Sequence, residues 1–415
     1  MKIAIIGTGI SGLTAAYILN KIHRITVFEK NDYIGGHTHT HSINTGEANI
    51  NVDSGFIVYN ENTYPNFIKL LDQLNVERQK TTMGFSVKSD SDNFEYSGSS
   101  LNAMFSQRSN LFRPLFYKMI TDIIKFNKYA NNDLHTLSEK MTLSEYLSNK
   151  KFSKSFINHY IVPMGAAIWS TKADSILNIP AFFFIRFFKN HGLLQIFNRP
   201  DWWVIKGGSN QYVKKLIKPF QTQIRINSPI TKIRRTDSQV FVSTGCNNTE
   251  EVFDKVIIAT HSNQALKMLS DPTKSEEEIL KSIQFQNNKA ILHTDTSVLP
   301  NRKLAWASWN YYLDHLTNKP VSLTYNMNIL QNLNSSKTFC VTLNNNQSIN
   351  NNQIIKYLDY DHPLFNSDAT KAQNRKEEIN GKNNTYYCGA YWHNGFHEDG
   401  VVSALEVCQK FGLSL

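Results

Sequence analysis

The order strand, glycine-rich turn, helix, strand, acid in residues 1–30 (MKIAIIGTGISGLTAAYILNKIHRITVFEK) constrains this chain more than any other feature. Ile3, Ala4, Ile5 and Ile6 form an apolar run, the pattern of a parallel strand buried on both faces. Gly7, Gly9 and Gly12 follow as G-x-G-x-x-G, and an apolar helical pattern runs on to Leu19. A second strand, 25–28, ends in Glu29. Gly7 permits the tight turn. Gly9 lets backbone approach a pyrophosphate at the helix N-terminus, where free N–H groups and the dipole favour anions. Gly12 lets helix and strand pack closely. Glu29 is placed to accept hydrogen bonds from ribose hydroxyls. The unit reads as a dinucleotide-binding βαβ.

At 415 residues the chain can bury a large core, and two domains are expected. Its formal charge is +10, which suits nucleic acid, a membrane surface or an anionic substrate. No Lys/Arg block and no helix-turn-helix or RNA-binding signature accompanies that charge, so nucleic acid is not expected. Cys246, Cys340, Cys388 and Cys408 are scattered without a C-x-x-C pair, the usage of a reducing compartment without structural zinc. No run reaches membrane-spanning length without charge. A strand that starts at Lys2 argues against a cleavable leader. The expected location is the cytoplasm.

Further along, Gly35-Gly36 follow the acidic strand, where backbone without Cβ can come near a ligand. Residues 50–56 read as a short strand and turn, and 65–76 as a helix with Pro65 in its first turn. From about 78 to 200 helical spacing dominates, including 111–129 and the Phe-rich stretch 179–197. Strand, Gly207-Gly208 and helix return at 203–216. Strand patterns follow at 224–233, 253–260, 290–293, 321–325 and 339–343. The Asn-rich tract 344–353 reads as a surface loop, and 386–405 as strand, loop and helix. The expected division is a discontinuous nucleotide domain (1–77, 200–275 and 376–415) and a substrate domain (78–199 and 276–375). The fold class is α/β, a Rossmann-type domain with an inserted α+β domain.

One glycine fingerprint serves NAD or FAD. The later segments favour FAD, a long cofactor whose isoalloxazine end must be met by residues far along the chain. Those segments are Gly35-Gly36, Ser54-Gly55 and the loop 389–400. A helix beginning near Val401 would aim N–H groups at a pyrophosphate or at the electron-rich edge of a flavin. No metal is expected. His37, His39 and His41 share one face of an extended segment, but no Cys or carboxylate sits at matched spacing.

The motifs G-x-G-x-x-G, Glu29, Gly35-Gly36, VDSGF (52–56), KVIIAT (255–260) and CGAYWHNGFHEDGVVSA (388–404) occur in the order of the flavin-containing amine oxidase superfamily, which the chain resembles. That group includes phytoene desaturases and protoporphyrinogen oxidase. The stretches IGGHTHT (34–40), FIVYNENTYP (56–65), VPMGAAIWS (162–170), WASWNY (306–311) and GFHEDG (395–400) are similar to bacterial FAD-dependent proteins associated with cyclopropane fatty acid synthases. The resemblance implies that Gly7, Gly9, Ser11 and Gly12 hold the pyrophosphate of FAD and Glu29 the adenine ribose. Gly36 and His37 would lie along the diphosphate, and Ile230 would touch the adenine. Gly389, Asp399, Gly400 and Val401 would close over the flavin. Lys30, Gly35, Thr38, Gly55 and Phe56 complete the expected cofactor-binding set. The chain departs from the superfamily at His37, where arginine is usual, and at Ala390, where an acid is usual. Asp399 or Glu398 is the candidate replacement for that acid.

The implied activity is FAD-dependent oxidation, with an unsaturated, methylated or cyclopropane-bearing lipid acyl chain as expected substrate. A flavin amine oxidase is the alternative, and a carotenoid or porphyrinogen-type desaturase the third reading. A flavin-binding accessory of a lipid-modifying partner enzyme, without turnover, is a reading from another class. Lys289 sits where many members carry a lysine that bridges through water to flavin N5; otherwise it is a surface lysine at a strand start. His397 and Glu398 are acid–base candidates or structural hydrogen-bonding groups. Tyr391, Trp392 and Trp309 are candidates for an aromatic cage around a neutral amine. The stretch 179–197 is either domain core or a lipid-facing surface with Arg186 and Lys189 on head groups. The second reading implies peripheral contact with an anionic bilayer at the inner face of the membrane.

Overall fold

Lys2–Ile6 is the central strand of a parallel sheet in the computed structural model of the chain. The structure describes all residues except 139, 170–172, 196–199, 246–248, 314–321 and 346. Cys246, Ser170, Val321, Asn346, the end of the aromatic stretch and the expected boundary at 199 therefore lie outside the described residues. The sheet order is Ile224–Arg225, Arg24–Phe28, Lys2–Ile6, Lys255–Ile258, Thr385–Tyr387, parallel throughout. Ile3, Ala4 and Ile5 have no solvent exposure because helices or strands cover both faces.

On one face, helix Ile10–Leu19 packs against helix His397–Gln409, with helices Pro65–Gln73 and Asn210–Ile217 beside them. Leu13, Ile18, Phe67, Tyr212 and Val407 are buried in this layer. On the other face sit an antiparallel sheet of Ile230–Arg235, Val240–Thr244 and Thr249–Phe253 and the helices Ser262–Met268 and Lys274–Ser282. Thr273 and Glu276 cap the last of these reciprocally. Glu276 also accepts from Arg235 (2.5 and 2.9 Å) and from the Tyr387 hydroxyl (2.6 Å), tying this layer to the parallel sheet.

A second sheet runs Ile354–Pro363, Phe285–His293, Cys340–Leu343, Ser322–Asn326, Trp309–Tyr312, Phe85–Ser89, Phe94–Ser97. It is antiparallel except where Trp309–Tyr312 lies parallel to Phe85–Ser89. The expectation of helical spacing from 78 onward misses Arg78–Thr81 and these two strands. Phe85-Ser86-Val87-Lys88 and Phe94-Glu95-Tyr96-Ser97 do alternate apolar and polar residues, but each run is short, and the helical spacing that dominates further along the segment overshadows it. Helices begin at Leu101, and the long one, Pro114–Asp133, starts with Pro114 in its first turn. Helix Ala181–Asn190 buries Phe184, Ile185, Phe187 and Phe188 in a large apolar cluster with Phe116, Phe126 and Phe156. The inward face of this Phe-rich helix is thus core. Among the described residues no helix is long and apolar enough to cross a membrane.

Candidate cofactor and active site

Gly7 and Gly12 of the first turn are required by close packing. Gly7 has φ +102°, and its amide donates to the Phe28 carbonyl at 2.8 Å. A Cβ on Gly12 would lie 2.1 Å from the Gly7 carbonyl oxygen. Gly9 is the N-cap of helix Ile10–Leu19, with no side-chain cap, and a Cβ there would meet open space. Gly36 closes the same cradle: its Cβ would sit 3.0 Å from Gly9 Cα. A helix N-terminus walled by two glycine backbones admits a diphosphate. Gly400 brings in the far end of the chain, since its Cβ would lie 3.0 Å from Ser11 Oγ and 2.6 Å from Ile10.

Glu29 is buried. Its Oε2 accepts the Thr8 amide (3.0 Å) and hydroxyl (2.5 Å), and its Oε1 accepts the Asn31 amide (2.9 Å). These leave about one of the four acceptor positions of a carboxylate for a ribose hydroxyl. The Ser228 amide donates to the Glu29 carbonyl at 2.8 Å, which brings half-buried Ile230 to this end of the cradle. Lys30, beside Glu29, is exposed.

The loop 35–38 is knitted to 54–56. The Phe56 amide donates to the His37 carbonyl (2.8 Å), and a Cβ on Gly55 would overlap that oxygen at 2.0 Å. Gly35 has φ +131°, and its carbonyl accepts the Thr38 amide at 2.9 Å. The Thr38 hydroxyl meets the Tyr212 hydroxyl at 2.6 Å, which in turn meets His397 Nε2 at 2.8 Å. The His397 ring stacks on Phe56 at 3.7 Å, and burial holds its pKa well below the usual 6.5. His397 is therefore a neutral imidazole locked between Phe56 and Tyr212.

The carboxylates of the last loop are both engaged. Glu398 Oε1 accepts the Asn66 amide (3.0 Å) and side chain (2.7 Å), and its Oε2 accepts the Phe67 amide (2.8 Å). It caps helix Pro65–Gln73, whose own N-cap Tyr64 supplies no acceptor. Asp399 Oδ2 accepts the Phe396 amide at 2.8 Å. The helix begins at His397, four residues before the expected start near Val401. Asp399 at its third position stabilises that earlier start. Val401 is fully buried in the second turn, and the Gly389 amide donates to Ser403 Oγ at 3.1 Å.

His37 gathers groups that sequence reasoning missed. Its ring lies 5.2 Å from Tyr360, 5.6 Å from His362 and 6.0 Å from His261, and its Nε2 is buried without a hydrogen-bond partner. Burial, together with the neighbouring histidines, pushes His261 and His362 down to about 3. At neutral pH the cluster carries no charge. The Asn288 side-chain amide donates to His362 Nδ1 at 2.8 Å. Asn288 is buried opposite Tyr360 in the strand register, whereas the next residue, Lys289, is exposed opposite Asp359. The strand period of two would have exposed this difference had the register been known.

Asp53, within VDSGF, is a second missed group. It is fully buried and accepts from Thr40 Oγ1, from the Ser209 amide (2.9 and 3.0 Å) and hydroxyl (2.9 Å), and from Gln331 Nε2 (2.9 Å). Burial nonetheless pushes its carboxyl up to about 6. It fastens strand Asn49–Asp53 to the start of helix Asn210–Ile217 and to the second sheet's layer. The Gly207-Gly208 turn makes this approach possible: Gly208 has φ +99° and rests on Thr40.

The structure thus brings Gly7, Gly9, Ser11, Gly12, Gly35, Gly36, His37, Thr38, Gly55, Phe56, Gly400 and His397 around one helix N-terminus, with Glu29 and Ile230 at one end. Lys289 is not on the inward face. Tyr391 and Trp392 pack together at 5.0 Å in the layer beneath the parallel sheet, while Trp309 packs on Tyr325 at 5.3 Å in a different cluster.

The sequence matches the family described as flavin containing amine oxidoreductase over residues 10–339. The chain belongs to that family. It is an FAD-dependent oxidoreductase, and the glycine cradle, Glu29 and the unpartnered His37 nitrogen fit that cofactor. Solved structures of this family's fold superpose over almost the whole chain. The CLA-producing fatty acid isomerase from P. acnes has a TM-score of 0.71 at 16% identity, covering 99% of this chain and 98% of its own. Cyclohexylamine oxidase from Brevibacterium oxydans IH-35A has 0.69 at 13%, covering 99% of each chain. Wild-type putrescine oxidase bound to putrescine has 0.67 at 13%, again covering 99% of each. At such identities the likeness is one of fold.

Proposed function

We propose that this flavoenzyme oxidises an apolar substrate, a lipid acyl chain, rather than an amine. The observation that carries the reading is the wall of the last loop. Phe396 stacks on Phe187 of the Phe-rich helix at 5.2 Å, and Gly395 rests on Phe365. Phe396 thereby joins the core of the nucleotide layer to the aromatic core of the helical layer. Glu398 and Asp399, the carboxylates of that loop, are spent on backbone amides. A protonated amine would leave its charge poorly matched there, whereas an acyl chain gains by burial.

Bound FAD supplies a two-electron acceptor for the reaction. Desaturation removes two hydrogens, that is two electrons and two protons, from neighbouring carbons. An external acceptor, dioxygen or a quinone, must then take the electrons. The chain's own contribution is to hold neutral His37, His261 and His362 beside the cradle and to exclude water with aromatic side chains. The fatty acid isomerase of like fold supports a fatty acyl substrate, and the two amine oxidases keep the amine reading as the alternative. A partnership with a cyclopropane fatty acid synthase, implied by the sequence resemblance, belongs to the same proposal, as does the division into nucleotide and substrate domains.

The test is anaerobic absorbance of the holoenzyme. Bleaching of the flavin band by unsaturated or cyclopropane-containing lipid, and not by an amine panel, supports the reading. Bleaching by an amine alone replaces it with the amine oxidase. No bleaching by either overturns both and points to an accessory role.

A further inference from the structure

Six of the thirteen large apolar side chains exposed among the described residues fall between Leu101 and Ile124. Phe112 is 87% exposed, Leu101 77% and Leu115 70%, with Leu111 and Tyr117 beside them. They form one surface. The Tyr117 hydroxyl donates to the Leu111 carbonyl at 3.0 Å, and Phe105 anchors the patch from below against Phe116 at 5.4 Å. Arg108 binds the Phe105 carbonyl (2.9 Å) and Asn102 (2.8 Å), joining helix Leu101–Met104 to the turn Arg108–Phe112. Leu304, also exposed, lies on the short helix Lys303–Ala305 that packs on Leu101–Met104.

The rim is cationic. From 101 to 121 the chain carries Arg108, Arg113 and Lys118 and no Asp or Glu. Ser155 donates to the Leu115 carbonyl at 3.1 Å, which brings exposed Lys154 alongside; Lys303 flanks the other side. The nearest acids, Asp122 and Glu95, are buried and paired with Lys118 and Arg302. Side chains this exposed stand clear of their neighbours. A deformable surface accommodates such a point, with arginine and lysine heads reaching the phosphates around it.

We infer that this patch docks the enzyme on the surface of an anionic lipid bilayer, with Phe112 and Leu115 at its deepest point. The charge complements such a surface locally and over the whole chain, whose formal charge is +10. The site is separate from the Phe-rich helix, where Arg186 and Lys189 are exposed but Phe184, Phe187 and Phe188 are buried.

The holoenzyme should sediment with vesicles of phosphatidylcholine and phosphatidylglycerol, less so with rising salt, and not with phosphatidylcholine alone. Phe112→Ser/Leu115→Ser should weaken that partition about tenfold or more. Arg108→Gln/Arg113→Gln should weaken it and flatten the salt dependence. Flavin absorbance and melting temperature report whether either variant folds. As an independent reading, an environment-sensitive dye on Phe112→Cys should shift to the blue on anionic vesicles. Absence of binding to anionic vesicles, or binding that the Phe112 and Leu115 changes leave intact, overturns the proposal. Reduction of the flavin by an amine would overturn the substrate reading and leave these vesicle results unchanged.

Discussion

Glu398 is the cap of a helix more than three hundred residues away: the Phe67 amide donates to its Oε2 at 2.8 Å. The cap positions Phe67, which packs edge-on against His397 at 5.1 Å. Replacing Glu398 with Ala should cost about 2 kcal/mol of stability, with Glu398→Gln retaining part of it. Thermal melts give the loss. If Glu398 instead moved a proton, Glu398→Gln would stop substrate-driven flavin reduction at an unchanged melting temperature.

Gly12→Ala would place a methyl group 2.1 Å from the Gly7 carbonyl oxygen. Helix Ile10–Leu19 must then back away from the parallel sheet, costing about 1–3 kcal/mol and opening the cradle. The purified variant should lack the flavin band. Full flavin occupancy in Gly12→Ala would refute the placement of the diphosphate.

Lys289 and Asn288 give opposite expectations. Lys289 faces solvent, so Lys289→Met should leave anaerobic flavin reduction within about twofold of wild type. Asn288 holds His362 against His37, so Asn288→Leu should slow it, with the His362 imidazole resonance displaced by NMR. A large rate loss in Lys289→Met alone would restore the lysine to the chemistry.

Stability should fall in mild acid. Burial holds His37, His261, His362 and His397 below 6.5 in the fold. Below pH 6.5 the unfolded chain binds protons that the folded chain refuses, so unfolding becomes easier as pH drops toward their folded values. Asp53 acts in the other direction: at about 6 its folded carboxyl takes a proton before the unfolded one does. His23, His39, His41, His191 and His293 are held low as well, and Asp399 is raised like Asp53, so nine imidazoles oppose two carboxyls and the melting temperature should decline from pH 7 to pH 5. A flat or rising profile would show these histidines to be solvated.

The sequence reads well where backbone chemistry is forced. Gly7, Gly12 and Gly35-Gly36 mark their cradle because a side chain would collide there, and Gly9 because its bare backbone leaves the helix N-terminus open. It reads poorly where register decides. Lys289 and Asn288 are adjacent, and only pairing with Asp359 and Tyr360 says which one points inward. Asp53 was invisible as a fastener because Thr40, Ser209 and Gln331 converge on it from three separate segments. The early helix start at His397 had a local sign, an acid at its third position, that the glycine pattern overshadowed. The Phe-rich stretch 179–197 admits a core reading and a lipid-facing one because aromatic density marks either, and burial decides for core at Phe184 and Phe188.

Gly400 lying over Ser11 has a consequence for biosynthesis. The cradle that begins at residue 7 is roofed by residues made nearly four hundred positions later. At about 5–20 residues per second the interval is roughly 20–80 s. Throughout it, Ile10, Leu13 and Ile18, buried in the finished protein, have no C-terminal helix to cover them. Flavin can be gripped from both sides only once residue 400 has emerged, and until then this apolar face of the nascent chain stays uncovered.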